Sequence, residues 1–445
     1  TTGIQAQLPI LFAEYTFADK KDIDNYLTLV SQINDFFNQI CEFQILKAKN
    51  NSFLGSETCN LVIKQCTSFL AENKPKDNLF HTSFVSKISK CKFLSDSEKN
   101  NYINKNLDLI NSSVFPGYNK IISSLKDLQK SGYCKNNKGI CHLKNGKSYY
   151  EFLVKNYTGS SKSVLELKSD IQSRLMKDMR TMYSILTVNP ELENMFYSEE
   201  HNSKSPQAIL KELNSKYTDD FPNIGNINYT VKYVDENLQD YLSPAFFLTP
   251  AIDDTNNNVI YINESDAFSK QDIYTTLAHE GIPGHMYQSA FFLQTNPLPV
   301  RHILSYGGYT EGWATYVEFL SYSYEYSDQR LAKALSCSAS YSLALYSLCD
   351  IGINYEGWSF KETKDFLKNY NITGDDICKN IYQTVINEPA NYLQYYVGYL
   401  EITALKEKVQ KQLGTDFNLK DFHKSFLTIG PADFKTVEKW IYTFY

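Results

Sequence analysis

Two histidines and a glutamate lie within one short segment, residues 279–285, which reads His-Glu-Gly-Ile-Pro-Gly-His. In the related HExxH pattern, two histidines four residues apart lie on one face of a helix and bind zinc, and the glutamate polarises a water molecule. Here His285 follows His279 by six residues, which places it ~120° away on a regular helix, at ~100° per residue. Because Pro283 removes a backbone donor and Gly284 relaxes the dihedrals, we expect the helix to bulge and bring the histidines together. The alternative is a helix end with ordinary polar histidines.

A third ligand must come from another part of the chain, since a catalytic zinc takes three protein ligands and keeps an open position for water. The candidate is Glu311, in the segment Thr-Glu-Gly-Trp-Ala of residues 310–314. We expect Thr310 to cap a helix with Glu311 in its first turn, so that two helices meet at the metal. Glu356 is a rival, because residues 356–358 repeat Glu-Gly-Trp. Glu311 is preferred, since Glu356 lies in an irregular stretch.

Together these residues have the chemistry to hydrolyse an amide bond. A zinc ion lowers the pKa of a bound water toward ~7, and Glu280 is the candidate to take its proton and pass it to the leaving amine. Glu318 follows Glu311 by seven residues on the same helical face, where it either orients a ligand or remains a solvated charge. Four residues that precede Glu311 are further candidates to line a cleft, namely Arg301, His302, Tyr306 and Tyr309. Arg301 is able to bind a substrate carboxylate.

The elements that position these residues are mostly helical. Apolar residues recur every three or four positions in segments 21–46, 61–70, 102–110, 118–128, 271–279, 311–324, 328–349 and 392–413. Between residues 226 and 263 apolar and polar residues alternate instead, and a turn-rich stretch at 253–257 precedes a β-branched run. This pattern is typical of a small sheet or hairpin. We therefore expect a mainly α protein with a small β-sheet near the active site.

We expect two regions in the chain. Residues 1–210 form an N-terminal helical region, and residues 211–445 form a catalytic region that contains the sheet at 226–263 and the metal-binding helices. No Pro- or Gly-rich linker separates the two, so one continuous domain is the alternative.

The composition excludes several classes of protein. The chain has 445 residues, of which 42% are hydrophobic and 21% charged, as in an ordinary globular enzyme. Its formal net charge of -6, with no basic stripe, gives no electrostatic site for nucleic acid. No stretch reaches the ~18–20 apolar residues that a transmembrane helix needs.

The cysteines and the first residues bear on location. Nine cysteines, an odd number without a Cys-x-x-Cys pair, exclude a complete disulfide framework. Cys134 and Cys141 bracket a polar segment and could close a small loop in an oxidising compartment. The chain begins at Thr1 without a methionine or a signal-like segment, which indicates a piece of a longer precursor. We expect a secreted or envelope-attached protein, with a cytoplasmic location as the alternative.

The two metal motifs, His-Glu-x-x-Pro-Gly-His and Glu-Gly-Trp-Ala, resemble those of a bacterial family of uncharacterised proteins described as zinc peptidases. That family is similar in layout to the helical gluzincins, including the carboxypeptidase Taq and thimet oligopeptidase groups. Residues 5–9, 146–150 and 158–161 extend the resemblance over nearly the whole chain. The resemblance implies a gluzincin-like fold, with Glu280 as general base and, as zinc ligands, His279, His285 and Glu311.

The resemblance also implies a role for a tyrosine near the C-terminus. Residues 389–398 match a family segment in which a tyrosine precedes a glycine by three positions, and that tyrosine is Tyr395. Related gluzincins use a tyrosine from a downstream helix to bind the oxyanion. By the same analogy with zinc peptidases, we expect the strand at 258–263 to offer an edge to an extended peptide.

The sequence thus predicts a zinc-dependent peptidase that acts on a peptide substrate. One alternative is a metal-dependent hydrolase of a non-peptide amide or ester, because the same chemistry would serve. Another is a catalytically silent binding protein, against which the intact Glu280 argues. A phosphate-binding loop is excluded, since residues 158–163 lack its leading glycine and its strand.

Overall fold

The computed structural model describes residues 3–71, 74–198, 204–252, 255–268 and 273–445. The chain forms two compact units. The first contains residues up to 137 together with the segment 234–243, and the second contains residues 138–233 and 244–445. The division expected between residues 210 and 211 falls inside the second unit, within a helix, and as a functional division it stays a prediction.

The first unit is built from α-helices around an aromatic core. The rings of Phe69 and Tyr118 stack there with centroids 4.3 Å apart. Two of the helices begin with capping boxes, at Asp19 and Ser95, which satisfy the first backbone donors of each helix. The helices are α1 (Ile4–Glu14), α2 (Lys20–Ser31), α3 (Ile33–Lys49), α4 (Ser56–Ala71), α5 (Leu79–Lys90), α6 (Asp96–Leu109) and α7 (Phe115–Lys130).

The helical periodicity of this unit predicts most of its elements. Segments 61–70, 102–110 and 118–128 correspond to α4, α6 and α7, with a π-helical turn continuing α6. The segment 21–46 forms two helices and not one, since α2 ends at Ser31 and α3 begins at Ile33. The reason is Ser113, whose hydroxyl donates to the Ser31 carbonyl at 3.0 Å and accepts from the Asn34 N–H at 3.2 Å. A side chain inserted between backbone partners divides a helix.

The disulfide considered for Cys134 and Cys141 is not formed. All nine cysteines are free thiols. The Cys141 thiol donates to the carbonyl of Ile353, with 3.4 Å between sulfur and oxygen. Within the first unit, the Cys134 thiol shares a hydrogen bond with that of Cys59. The spacing of the two cysteines in the sequence therefore does not predict their partners.

The second unit contains the segments that carry the predicted site. Its helices are α8 (Gly146–Thr158), α9 (Val164–Val188), α10 (Glu193–Phe196), α11 (Pro206–Lys216), α12 (Ile273–Glu280), α13 (His285–Gln294), α14 (Gly307–Glu325), α15 (Gln329–Ile351), α16 (Phe360–Lys368), α17 (Asp375–Asn387), α18 (Asn391–Leu413), α19 (Leu419–Ile429) and α20 (Phe434–Phe444). The predicted helical segments 311–324, 328–349 and 392–413 correspond to α14, α15 and α18. Of the segment 271–279, residues 271 and 272 lie outside the described residues, and the remainder belongs to α12.

A three-stranded sheet belongs to the same unit. It consists of β1 (Tyr229–Tyr233), β2 (Ala245–Leu248) and β3 (Asn258–Ile262), in the order β1-β3-β2. β3 pairs with β1 in parallel and with β2 antiparallel. The prediction that the strand at 258–263 offers an edge is wrong, because β3 lies in the middle and is buried along its length. In the turn predicted at 253–257, residues 253 and 254 lie outside the described residues.

α14 is the central helix of this unit and packs against α12, α15 and α18. Trp313, Tyr316 and Val317 form its buried face, as the apolar pattern predicts. The mainly α fold with a small sheet is therefore confirmed. Among the residues that the structure describes, none of the helices has both the length and the apolar character needed to span a membrane.

Candidate metal centre

The segment 279–285 forms a turn between two helices, not a bulge within one. α12 ends at Glu280 and α13 begins at His285. Gly284 makes this turn possible, because a Cβ atom there would lie 1.9 Å from the His279 carbonyl oxygen. The carbonyl of Pro283 accepts a hydrogen bond of 3.0 Å from the buried indole of Trp313. The expected bulge is therefore corrected to a helix break, fixed by a close backbone approach.

The break brings the two histidines side by side. Their ring centroids lie 4.8 Å apart, and the rings are nearly perpendicular at 83°. Both Nε2 atoms face one carboxylate oxygen of Glu311, at 3.7 Å from His279 and 3.3 Å from His285. The structure thus gathers three of the side chains that the sequence singled out.

Glu311 reaches this position from α14, but not from its first turn. The helix begins at Gly307, preceded by Tyr306. Thr310 does not cap it, since its hydroxyl donates to the carbonyls of Tyr306 and Gly307, each at 3.2 Å. The expectation of a Thr310 cap is wrong, because the helix starts three residues earlier. The glutamate stays on the face that meets the histidines.

Glu318 lies on one side of the His279 ring, and Glu311 lies on the other. A Glu318 carboxylate oxygen is 2.9 Å from His279 Nδ1. Because a carboxylate only accepts, this hydrogen bond places a proton on Nδ1 toward Glu318, and Nε2 is the ring nitrogen that faces His285 and Glu311. The sequence predicts that Glu318 either orients a ligand or remains a solvated charge, and its contact with His279 matches the first alternative.

Glu280 is held by the edge strand of the sheet. One of its carboxylate oxygens accepts a hydrogen bond of 2.8 Å from the backbone N–H of Phe247 in β2. The other oxygen lies 3.9 Å from His279 Nε2. Sequence reasoning missed Phe247, because a main-chain donor leaves no signal in residue type.

Tyr395 lies over His279 from α18. The two rings are stacked, with centroids 6.2 Å apart and 24° between their planes. Burial, followed by the charges of Glu311 and Glu280, raises the pKa of Tyr395 well above its usual value. The hydroxyl therefore keeps its proton and is a hydrogen-bond donor at the site.

The electrostatics of the cluster suit a cation. Burial opposes a charge on His279, yet its hydrogen bonds to Glu311 and Glu318 raise its pKa well above the ordinary value. Burial likewise opposes the charge of Glu311, yet His285 and His279 hold the pKa of its carboxyl well below the usual range. Three carboxylates surround two imidazoles, and among the described residues no lysine or arginine forms an ion pair with them. A bound metal ion neutralises such an excess of negative charge in a partly buried site.

Ligand atoms of His279, Glu280 and His285 lie within 4.8 Å of one another, and this group could bind a metal ion. The rival glutamate lies elsewhere. Glu356 ends the π-helical turn that follows α15, and its carboxylate is 2.5 Å from the Lys168 ammonium. It therefore already has a cationic partner on α9.

A cavity of about 480 Å³ opens beside His285 and Glu311. Part of its wall is apolar, with Phe247, Phe292 and Leu293. Of the residues predicted to line a cleft, those found in this wall are Arg301, His302 and Tyr309, whereas Tyr306 lines a neighbouring cavity.

Two glycines set the distance between α14 and α18. A Cβ atom on Gly312 would lie 2.4 Å from Cα of Gly398, so the two backbones are in direct contact. Glu311 precedes the first glycine and Tyr395 lies three residues before the second. Sequence reasoning did not single out this pair, although Gly312 lies within the Glu-Gly-Trp motif.

The chain belongs to the bacterial family described as "Bacterial protein of unknown function (DUF885)", which matches residues 1–441. Membership of a bacterial family of uncharacterised proteins is thus confirmed, whereas the zinc-peptidase activity and the similarity to gluzincins stay predictions.

Two solved structures are similar in fold. One is a "putative lipoprotein" from Colwellia psychrerythraea, 22% identical, with a TM-score of 0.87 over 99% of this chain and 79% of that chain. The other is a "putative lipoprotein of unknown function" from Shewanella oneidensis, 16% identical, with a TM-score of 0.60 over 98% of this chain and 81% of that chain. A search among curated proteins gives no significant match.

Proposed function

We propose that the protein is a zinc-dependent peptidase whose metal ligands are His279, His285 and Glu311. The observation that carries the proposal is the convergence of both Nε2 atoms on one oxygen of Glu311, at 3.3 and 3.7 Å. Two ligand atoms that are each ~2.0–2.2 Å from a tetrahedral zinc are about 3.3–3.6 Å apart. The separation of 3.3 Å for His285 lies within that range, and the separation of 3.7 Å for His279 lies about 0.1 Å above it. Two histidines and a glutamate are also a donor set that catalytic zinc sites use.

Glu280 is the competing ligand, because it lies within the same group of donor atoms. Two observations support a different role for it. One oxygen is held by the Phe247 N–H, and the other is 3.9 Å from His279 Nε2, farther than either Glu311 separation. We therefore assign Glu311 to the metal and Glu280 to proton transfer.

The remaining groups complete the chemistry of amide hydrolysis. A bound zinc ion would supply an activated water and polarise the carbonyl. Glu280 takes the proton of the nucleophile and delivers it to the leaving amine, from a position fixed by its hydrogen bond to β2. Tyr395 donates its hydroxyl proton in a hydrogen bond to the developing oxyanion. Glu318 holds the His279 ring in the tautomer that presents Nε2.

We also propose a secreted or envelope-attached location. Both structural neighbours carry the description "putative lipoprotein", which is compatible with that expectation. Fractionation of native cells tests it, and recovery of the protein only in the cytoplasm would contradict it.

The function is tested by measuring bound metal and digesting a mixed peptide library in parallel. We expect about one zinc per chain and new peptide termini that disappear with a chelator and return with zinc. Parallel incubation with a library of non-peptide esters and amides separates the alternatives. Metal-dependent cleavage of that library alone would favour the non-peptide hydrolase, and bound metal without cleavage of either library would favour a silent binding protein.

A further inference from the structure

Arg301 differs from its paired counterparts because its charge has no carboxylate partner. Arg174 pairs with Asp178 at 2.8 Å and Arg330 pairs with Asp328 at 2.7 Å. In the described part of the chain Arg301 forms no ion pair. One of its terminal nitrogens donates to the carbonyls of Ile429 and Pro431, at 2.8 and 3.0 Å.

The Nε–H of the same guanidinium is not satisfied. It is enclosed by protein and has no hydrogen-bond partner. The guanidinium carbon lies 5.6 Å from the centroid of the Phe292 ring, which covers one face. A partly buried cation with an unused donor is costly unless a ligand supplies the missing charge. A carboxylate supplies that charge and accepts hydrogen bonds from a guanidinium.

Arg301 and two of the three proposed metal ligands line the same cavity. The wall contains Arg301 together with His285 and Glu311, and the cavity measures about 480 Å³. A sphere of that volume is about 10 Å across, which an extended peptide covers with about three residues at ~3.4 Å each. A carboxylate on Arg301 would therefore lie within about three residues of the reacting bond. Apolar wall residues are available for the side chains between them, namely Phe247, Phe292, Leu293 and Leu304.

Resting on the proposed peptidase function, we infer that Arg301 binds the free C-terminal carboxylate of the substrate. The protein would then be an exopeptidase that removes one to about three residues from the C-terminus, with a preference for apolar residues there. An acidic side chain offers the same carboxylate chemistry, and the experiment below distinguishes the two sources.

The first measurement compares matched peptides on the unaltered protein. One peptide has a free C-terminus, the second is its C-terminal amide, and the third is an amide that carries glutamate at the last position. We expect kcat/KM for the free acid to exceed that of both amides by a factor on the order of 10 to 100, the usual worth of a charge-assisted hydrogen bond. Equal cleavage of acid and amide overturns the inference and leaves the peptidase function intact. Rescue by the glutamate amide also overturns it, because a side chain would then be the ligand.

The second measurement concerns the residue. Arg301→Gln should remove the preference for the free acid, mainly through KM, so that kcat/KM falls far more for the acid than for the amide. Arg330→Gln is the matched control and should keep the preference, since the charge of Arg330 is already paired with Asp328. An equal loss on acid and amide in Arg301→Gln would show a structural role instead.

A binding readout does not depend on cleavage. Calorimetry with N-acetylphenylalanine and its amide on the protein as purified should show tighter binding of the acid, lost in Arg301→Gln. If no peptide is cleaved but this difference is present, the peptidase function fails and the carboxylate site stands. If the acid and the amide bind alike, the carboxylate site fails.

Discussion

His279 Nδ1 and a carboxylate oxygen of Glu318 lie 2.9 Å apart, although 39 residues separate them in the sequence. The contact joins α12 to α14, and it fixes which ring nitrogen of His279 faces the other proposed ligands. Carboxylates that hold a ligating histidine in this way strengthen metal binding, and their loss commonly reduces affinity 10–100-fold.

Glu318→Gln should therefore weaken zinc binding by roughly 10–100-fold while leaving the fold intact. Competition with a chromogenic chelator measures the change. Glu407→Gln is the control, because Glu407 is exposed on α18 and lies 4.0 Å from Lys177. An unchanged zinc affinity in Glu318→Gln would show that the hydrogen bond does not support the metal.

The proposed ligand set predicts the metal content of variants. His285→Ala and Glu311→Gln should each lose most of the bound zinc in elemental analysis, since three protein ligands are the minimum for a catalytic site. Glu356→Gln should keep it, because Glu356 pairs with Lys168. Full zinc in Glu311→Gln together with loss in Glu356→Gln would move the third ligand to the rival position.

Glu280→Gln separates catalysis from metal binding. The glutamine can still accept the Phe247 N–H through its amide oxygen, so the strand contact is preserved. Zinc content and thermal stability should match the wild type. Peptide hydrolysis should fall by a factor on the order of 10²–10⁴, the usual worth of a positioned general base. Wild-type cleavage by a zinc-loaded Glu280→Gln would falsify the assignment.

Tyr395→Phe removes only a hydroxyl from α18. If that hydroxyl stabilises the oxyanion, kcat should fall on the order of 10²-fold with little change in KM or zinc content. Steady-state kinetics on one peptide is sufficient. A change confined to KM would place the hydroxyl in substrate binding.

His423 makes the stability depend on pH. Burial lowers its pKa to about 3 and outweighs the hydrogen bond from its Nδ1 to the Asp220 carbonyl, which acts in the opposite direction; its Nε2 accepts from Tyr316. Lys406, which hydrogen-bonds Tyr316, also disfavours a charge there. In the folded protein the His423 side chain stays neutral, whereas in the unfolded chain it gains a proton below pH ~6.5. The free energy of unfolding therefore falls on acidification, by about 2 kcal/mol between pH 6.5 and 5.

Asp350 changes the free energy of unfolding with pH in the opposite direction, so its contribution must be separated from that of His423. Burial raises the pKa of Asp350 to about 7, so the folded state binds a proton and is stabilised as the pH falls. Denaturant titrations of the wild type and His423→Asn at pH 7 and 5 isolate the histidine, since asparagine keeps a donor for the Asp220 carbonyl. The variant should lose less stability on acidification. Identical pH dependence in both proteins would assign the effect to other groups.

The sequence predicts the parts of the site that depend on residue type. His279, Glu280, His285 and Glu311 all come from spacing and donor chemistry, and the structure places them together. The helix break at Gly284 is less visible, because it depends on the approach of the His279 carbonyl to a missing Cβ. The hydrogen bond from Phe247 to Glu280 is a main-chain contact and leaves no pattern. The central position of β3 could not be predicted, since strand order depends on contacts between distant segments.

The contact between Gly312 and Gly398 determines what can vary in this site. The distance between the backbones that carry Glu311 on α14 and Tyr395 on α18 is fixed by the contact of the two helices, and a change of side-chain rotamer does not alter it. Side chains in the cavity wall face no such restriction. Evolution can therefore change which molecules enter the cavity while Glu311 and Tyr395 keep their spacing, so that divergent selectivity is compatible with a constant arrangement of the proposed site within one fold.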